Sequence, residues 1–242
     1  MKTSLSLAKI LPVLATVLLP INHLMADGTN SAPAAATAPA PTGKVLAPTN
    51  DVSLGSDGEE KDPNSYQARI GELYAPGGSA YILPIRIPAL PEGQHFDTVH
   101  LRVQLVAINN EADGLANVDL YGLGVRETEK AVAADYYQGT AADPKATLIQ
   151  AKFLTPKSAV RTDAITGPFV ETSAEADKAF AKYFNEVCSK PGNAGKYLLL
   201  RLSYTADTIP NGNNAYLVLT TGASGEEEPP IITYTLAPGA AK

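Results

Sequence analysis

Apolar and polar residues alternate without a break along "TVHLRVQLVAI", residues 98–108. Val99, Leu101, Val103 and Leu105 fall on one side, and His100, Arg102 and Gln104 on the other. A period of two with one polar side predicts a half-buried β-strand. Similar runs recur: "YQARI" (66–70), "AYILPIRI" (80–87), "ANVDLYGLGV" (116–125), "ATLIQAKFL" (146–154), "KYLLLRLSY" (196–204), "AYLVLTT" (215–221) and "IITYTL" (231–236). Turn segments rich in Gly, Pro and Asn separate them. Strands at this spacing predict an all-β domain, an antiparallel, jelly-roll-like β-sandwich. Gly122 and Gly124 inside one run predict a bulge or a close backbone approach.

One stretch changes period. In "ETSAEADKAFAKYFNEVCSKPG" the residues Ala176, Phe180, Tyr183, Phe184 and Val187 recur at three and four, the stripe of an amphipathic helix. Thr172 with Glu175 three residues on reads as a capping box, and Pro191 with Gly192 as a stop. The pattern therefore predicts one short inserted α-helix over about 173–189, its aromatics facing the core.

Pro84 and Pro88 interrupt the run at 80–87. Alternate amides of a strand point to the same lateral side, so both missing donors lie along one edge. A central strand would lose two ladder bonds there and an edge strand none. This strand is expected at a sheet edge or beside a bulge, with Tyr81, Leu83, Ile85 and Ile87 facing inward.

The remaining segments look different. Residues 1–26 combine Lys2 and Lys9 with the apolar run "ILPVLATVLLP" and end in "LMA", the layout of a cleavable export signal. The run is shorter than the ~20 apolar residues of a bilayer span; an uncleaved N-terminal anchor is the competing reading. Residues 27–65 are rich in Ala, Pro and Thr and then charged, which predicts a disordered linker. The sandwich is expected over 66–236 and a flexible tail over 237–242. The localisation that follows is secreted or cell surface, through the Sec pathway, with no membrane span after signal cleavage.

The formal net charge of −6 argues against a nucleic-acid partner, which needs a basic patch. Cys188 is the only cysteine, so the domain must rest on its core rather than on an internal disulfide. Cys188 itself reads as a small buried apolar residue. None of "GxSxG", "HExxH" or a phosphate loop occurs, and His, Cys and carboxylates are not clustered, so the chain is expected not to be an enzyme.

The candidate ligand site is "VAADYYQGTAADP", residues 132–144. Tyr136 and Tyr137 could offer flat rings to a sugar, with Asp135 and Gln138 bonding its hydroxyls. The competing reading is that one tyrosine caps the core and the other is solvated. "NNEADG" (109–114) and "PNGNN" (210–214) carry oxygen ligands suited to calcium, but the same residues favour tight turns.

The segment "GGSAYILPIRIPALPEGQHFDTVHLRVQL" resembles the opening of DNRLRE-type exported bacterial β-sandwich domains, which are related to a carbohydrate-binding-module family. Leu90, Pro91, Glu92 and Gly93 match the family's turn, and Val99, Leu101 and Val103 its following strand. "VDLYGLG", a helix ahead of the strand at 195–202, and "PPIITYT" at 229–235 follow in the family's order. The resemblance implies an exported, non-catalytic module that binds polysaccharide or other cell-surface and matrix proteins; no cofactor is expected, and the resemblance leaves room for a structural calcium. The alternative is a purely structural, self-assembling envelope or matrix protein with no sugar ligand, which the absence of tryptophan favours.

Overall fold

The computed structural model describes residues 42–46, 50–61, 66–71, 78–110, 115–136, 146–156, 168–205, 215–222 and 228–239. These strands form a nearly closed antiparallel sheet with one helix, as the alternating runs predict. In chain order they are β1 (Thr42–Leu46), β2 (Val52–Gly55), β3 (Glu60–Lys61), β4 (Gln67–Gly71), β5 (Ser79–Arg86), β6 (Gln94–Asn110) and β7 (Val118–Arg126). Then come β8 (Thr147–Leu154), β9 (Phe169–Glu171), helix α1 (Ala174–Val187), β10 (Tyr197–Tyr204), β11 (Ala215–Thr220) and β12 (Ile231–Pro238). The main path of pairing is β1-β12-β6-β11-β4-β5-β10-β7-β8.

The 17-residue β6 is shared between two ladders. Its first half pairs with β12 and its second half with β11, with register shifts in both ladders. Such irregularities bend and twist a strand. Between β4 and β5 the path is held by the single pair Gly71–Ser79. Gly71 has φ +117, and any Cβ there would strike the Ala215 carbonyl and the Tyr204 hydroxyl.

The inward side chains make one large core. Val99, Leu101, Val103 and Leu105 of β6 and Tyr81, Leu83, Ile85 and Ile87 of β5 and its exit are all buried in it, on the side that their alternation assigned. Helix α1 lies on β6 and touches β7 and β8. Phe184 meets Phe96 of β6 edge-to-face at 5.2 Å and Phe180 at 4.9 Å, the favoured geometry for aromatic pairs. Asn185 behaves as a strand substitute: its Nδ2 donates to the Phe96 carbonyl (2.7 Å) and its Oδ1 accepts from the Phe96 amide (2.9 Å). Cys188 is buried at the end of the helix, and burial pushes its thiol up to about 12.

Four features differ from the sequence expectations. First, strands β1, β2 and β3 lie at 42–61, inside the span expected to be a disordered linker, so order begins well before residue 66. Leu54 is fully buried, and the Ser53 hydroxyl accepts the Arg69 amide at 2.6 Å. Short segments such as "VSLG" carry little periodic signal and take their shape from their partners. Second, the short β9 was not expected at all; it pairs with β6 through Arg102, Val103 and Gln104.

Third, the helix cap is Ser173, whose side chain accepts from the Ala176 amide at 3.2 Å, and not Thr172. Fourth, among the described residues β5 is an edge strand only in its second half. Its first half is flanked by β10 on one side and β2 on the other, with Ile82 the last residue opposite β2. The Ile87 amide donates to Lys196 next to β10. By alternation the positions of Pro84 and Pro88 face the other side, where β2 has already ended. The missing donors therefore cost no ladder bonds.

The expected signal segment, residues 1–26, lies outside the described residues. Among the described residues no helix is long and apolar enough to cross a membrane.

Candidate functional site

The sequence-predicted loop begins on the outer face of β5, β10 and β7. These strands alternate, so the face opposite the main core carries Ile82, Leu199, Arg201, Ser203, Asp119 and Tyr121. Register places Arg201 between Ile82 and Tyr121, and Ser203 beside Asp119. A second, smaller apolar cluster forms there from Leu54, Ala80, Ile82, Ala131 and Leu199. Residues 126–136 cross over it as a strap. Glu129 accepts from Asn50 just before β2, and Ala133 sits against Gly58, so the strap reaches both ends of the β2–β3 hairpin.

Asp135 buttons this strap. It ends a single 3-10 turn (Ala133–Asp135) and is 1% exposed. Its carboxylate accepts both terminal nitrogens of Arg126, one at 2.6 Å, a bidentate charge-assisted pair. It also accepts the Val132 amide at 2.8 Å. The Asp135 carbonyl accepts from the fully buried Arg201 at 3.1 Å. The Arg201 guanidinium lies 4.9 Å from the Tyr121 ring centroid, within cation–π range.

Asp119 fixes the neighbouring edge. It accepts the Tyr121 hydroxyl at 3.0 Å and the Lys152 amide at 2.7 Å. Lys152 has φ 53, and the β7–β8 ladder shifts register here. The carboxylate thus satisfies an amide that the left-handed backbone turns off the ladder.

Of the sequence-predicted ligand residues, Asp135 therefore has its carboxylate buried and committed to Arg126 and Val132. Tyr136 is half-buried and packs on the second cluster. Tyr137 and Gln138 lie outside the described residues. So do residues 111–114 and 210–214 of the two candidate calcium loops. Among the described residues no group of three or more His, Cys, Asp or Glu is placed to hold a metal ion.

Two features of the face were not foreseen. Tyr197 is half-buried against the same cluster as Tyr136, and it stands in register with Arg86 on one side and Arg126 on the other. Arg86 is exposed. The row Arg86–Tyr197–Arg126 thus crosses three strands about 4.8 Å apart. Its signal was present in the alternation of "KYLLLRLSY", which puts Tyr197 on the side of Arg201, but the partners come from distant segments.

A second polar group joins β6, β9 and α1. His100 Nδ1 is 3.1 Å from each oxygen of Asp177 and 3.2 Å from Thr172 Oγ1. The Thr172 hydroxyl donates to Asp177 (2.5 Å) and accepts the Leu101 amide (3.0 Å). A nucleophile relay needs a base that turns one nitrogen to the hydroxyl and the other to the carboxylate. Here one nitrogen faces both, and Nε2 faces Glu171 at 3.8 Å. The arrangement is a tie between strand and helix start, where Asp177 also suits the positive end of the helix dipole.

Between α1 and the start of β6 lies an open groove of about 460 Å³, bordered by His95, Asp97, Lys178, Lys182 and Glu186. Its rim mixes both signs of charge.

No protein-family model matches the chain, and no curated protein matches it. Neither comparison identifies a DNRLRE-type domain.

Proposed function

We propose that the chain is an exported, non-catalytic module that captures polysaccharide at the end of the outer face of β5, β10 and β7, where the strap leaves Arg86, Tyr197 and Arg126 partly open to solvent. The observation that carries this reading is the row of Arg86, Tyr197 and Arg126 beside Tyr136. Two tyrosines pack on an apolar bed and stay half-buried, and a ring so placed is one that a sugar face can stack on. Arg86 supplies planar donors for hydroxyl or carboxylate oxygens. Asp135 contributes by fixing Arg126 and the strap, not by touching the ligand.

The alternative reading, a structural envelope or matrix protein, is favoured by a different observation. The buried carboxylates of Asp119 and Asp135 both have their partners inside the fold, as in a module built chiefly to be rigid.

A polysaccharide array with neutral and uronate-containing glycans separates the two. The capture reading expects wild type to bind at least one class and Tyr197→Ala to lose at least tenfold in affinity. Arg86→Ala should matter most for uronates. Absence of any binding by wild type would defeat capture. Binding untouched by both substitutions would move the site elsewhere on the surface.

A further inference from the structure

Asp51 stands directly before β2 and is 5% exposed. Its two oxygens lie 3.0 and 2.9 Å from the amide of Gly222, just past the end of β11. The Tyr81 hydroxyl of β5 also bonds to it, and the same hydroxyl is 3.1 Å from the Thr220 carbonyl. One side chain therefore joins the β2–β3 arm to two other strands.

The hydrogen count at this junction is informative. A tyrosine has one hydroxyl proton, yet its oxygen sits between two acceptors, the Asp51 carboxylate and the Thr220 carbonyl. With Asp51 ionised, the two acceptors compete for that proton. With Asp51 protonated, its own O–H donates to the Tyr81 oxygen, the Tyr81 O–H donates to Thr220, and the remaining Asp51 oxygen still accepts from Gly222. The protonated form gives both the Tyr81 oxygen and the Thr220 carbonyl a donor, whereas the ionised form leaves one proton between two acceptors.

We propose that Asp51 is a proton-operated latch that closes the N-terminal arm, residues 50–61, onto the sheet when protonated and loosens it when ionised. The groups facing Asp51 are the Tyr81 hydroxyl from β5 and the Gly222 amide from the exit of β11, together with its own backbone. Burial, the largest influence, raises the carboxyl from 3.8 to about 6, against the lowering effect of those hydrogen bonds. The same burial, with the neighbouring Asp51 charge, pushes Tyr81 well upward, so it stays a neutral relay.

The sign follows from linkage. Opening the arm hydrates Asp51 and returns it to its ordinary value. The closed form therefore holds the proton more tightly. Its extra stability is fully present below pH 3.8 and is lost as pH rises through about 6. Across that interval arm opening becomes more favourable by up to about a hundredfold. Opening uncovers the β5 edge opposite Val52 and Leu54, together with Ala80 and Ile82, a surface suited to strand addition.

The test is amide hydrogen exchange on the full chain, corrected for intrinsic rates, at about pH 4 and about pH 7, with a carboxyl-carbon NMR titration of Asp51. Expected is a loss of protection at the higher pH in 50–61 and at Gly222, with a midpoint that follows the Asp51 titration, while 197–204 keeps its protection. Asp51→Asn, which retains an acceptor but does not titrate, should show no such dependence. Equal arm protection at both pH values would overturn the latch. So would a loss shared equally by 197–204, or a dependence that persists in Asp51→Asn. The wild-type measurements decide the matter even if that variant folds poorly.

Discussion

The two faces of β5, β10 and β7 are built from the same residues in alternation but are closed by different physics. On the inner face Leu83, Leu200 and Leu120 join one continuous apolar core with α1. On the outer face the apolar cluster is small, and a strap holds it shut through Asp135, Arg126 and Arg201. The inner face is non-directional: it tolerates rearrangement but not loss of volume. The outer face depends on a few directional bonds, so removing one partner exposes the cost of the other. One sheet can thus bury both of its faces, one by apolar volume and the other by a few buried polar ties.

The comparison can be broken first from the inside. Leu200 is fully buried between Leu83 and Gly122. Leu200→Ala should cost about 4 kcal/mol, read by chemical denaturation with an unchanged slope.

Next comes the seam between sheet and helix. A Cβ at Gly122 would fall inside the Tyr183 ring, whose hydroxyl accepts the Gly124 amide at 2.8 Å. Gly122→Ala should cost about 3 kcal/mol. Combining it with Tyr183→Leu should recover part of that loss in a double-mutant cycle; simple additivity would mean that the clash is relieved elsewhere.

The outer face should respond less in total. Asp135→Ala strands Arg126, whose side chain is 30% exposed, so solvent softens the loss to about 2 kcal/mol. Smallest is Pro84→Ala. It restores a donor on the side of β5 that β2 does not reach, and thermal stability should change by no more than about 0.5 kcal/mol. A larger loss would mean that the proline supports the strand itself. Increased light scattering with concentration would show that it guards an edge.

Much of this architecture was legible in the chain. Period-two runs located most strands, because burial on one face leaves a local record. The helix was legible from its stripe of Ala176, Phe180, Tyr183 and Phe184. Gly122 and Gly124 were read as a bulge or a close approach, and both are present: the β7–β10 register shifts there while Tyr183 packs against Gly122. Strands β1 and β2 were not legible, since "TGKVL" and "VSLG" are too short for a period and depend on β12 and β5. Nor was the role of Asp135. A carboxylate beside two tyrosines has the composition of a sugar site, and only Arg126, nine residues earlier at the end of β7, reveals it as a fastening. Tyr197 was hidden for a related reason. Alternation puts it on the side of Arg201, but its two arginine neighbours come from distant segments that only the register brings beside it.

The central claim is that the strap closes the outer face as a unit separable from the core beneath. Native-state hydrogen exchange in wild type and Asp135→Ala tests it most directly. The Asp135 and Tyr136 amides bond to the carbonyls of Val132 and Ala133. In the variant, protection across 127–136 should fall by at least tenfold while residues 197–204 exchange as before. If the strap and β10 lose protection together, the two faces form one cooperative body and the account is wrong.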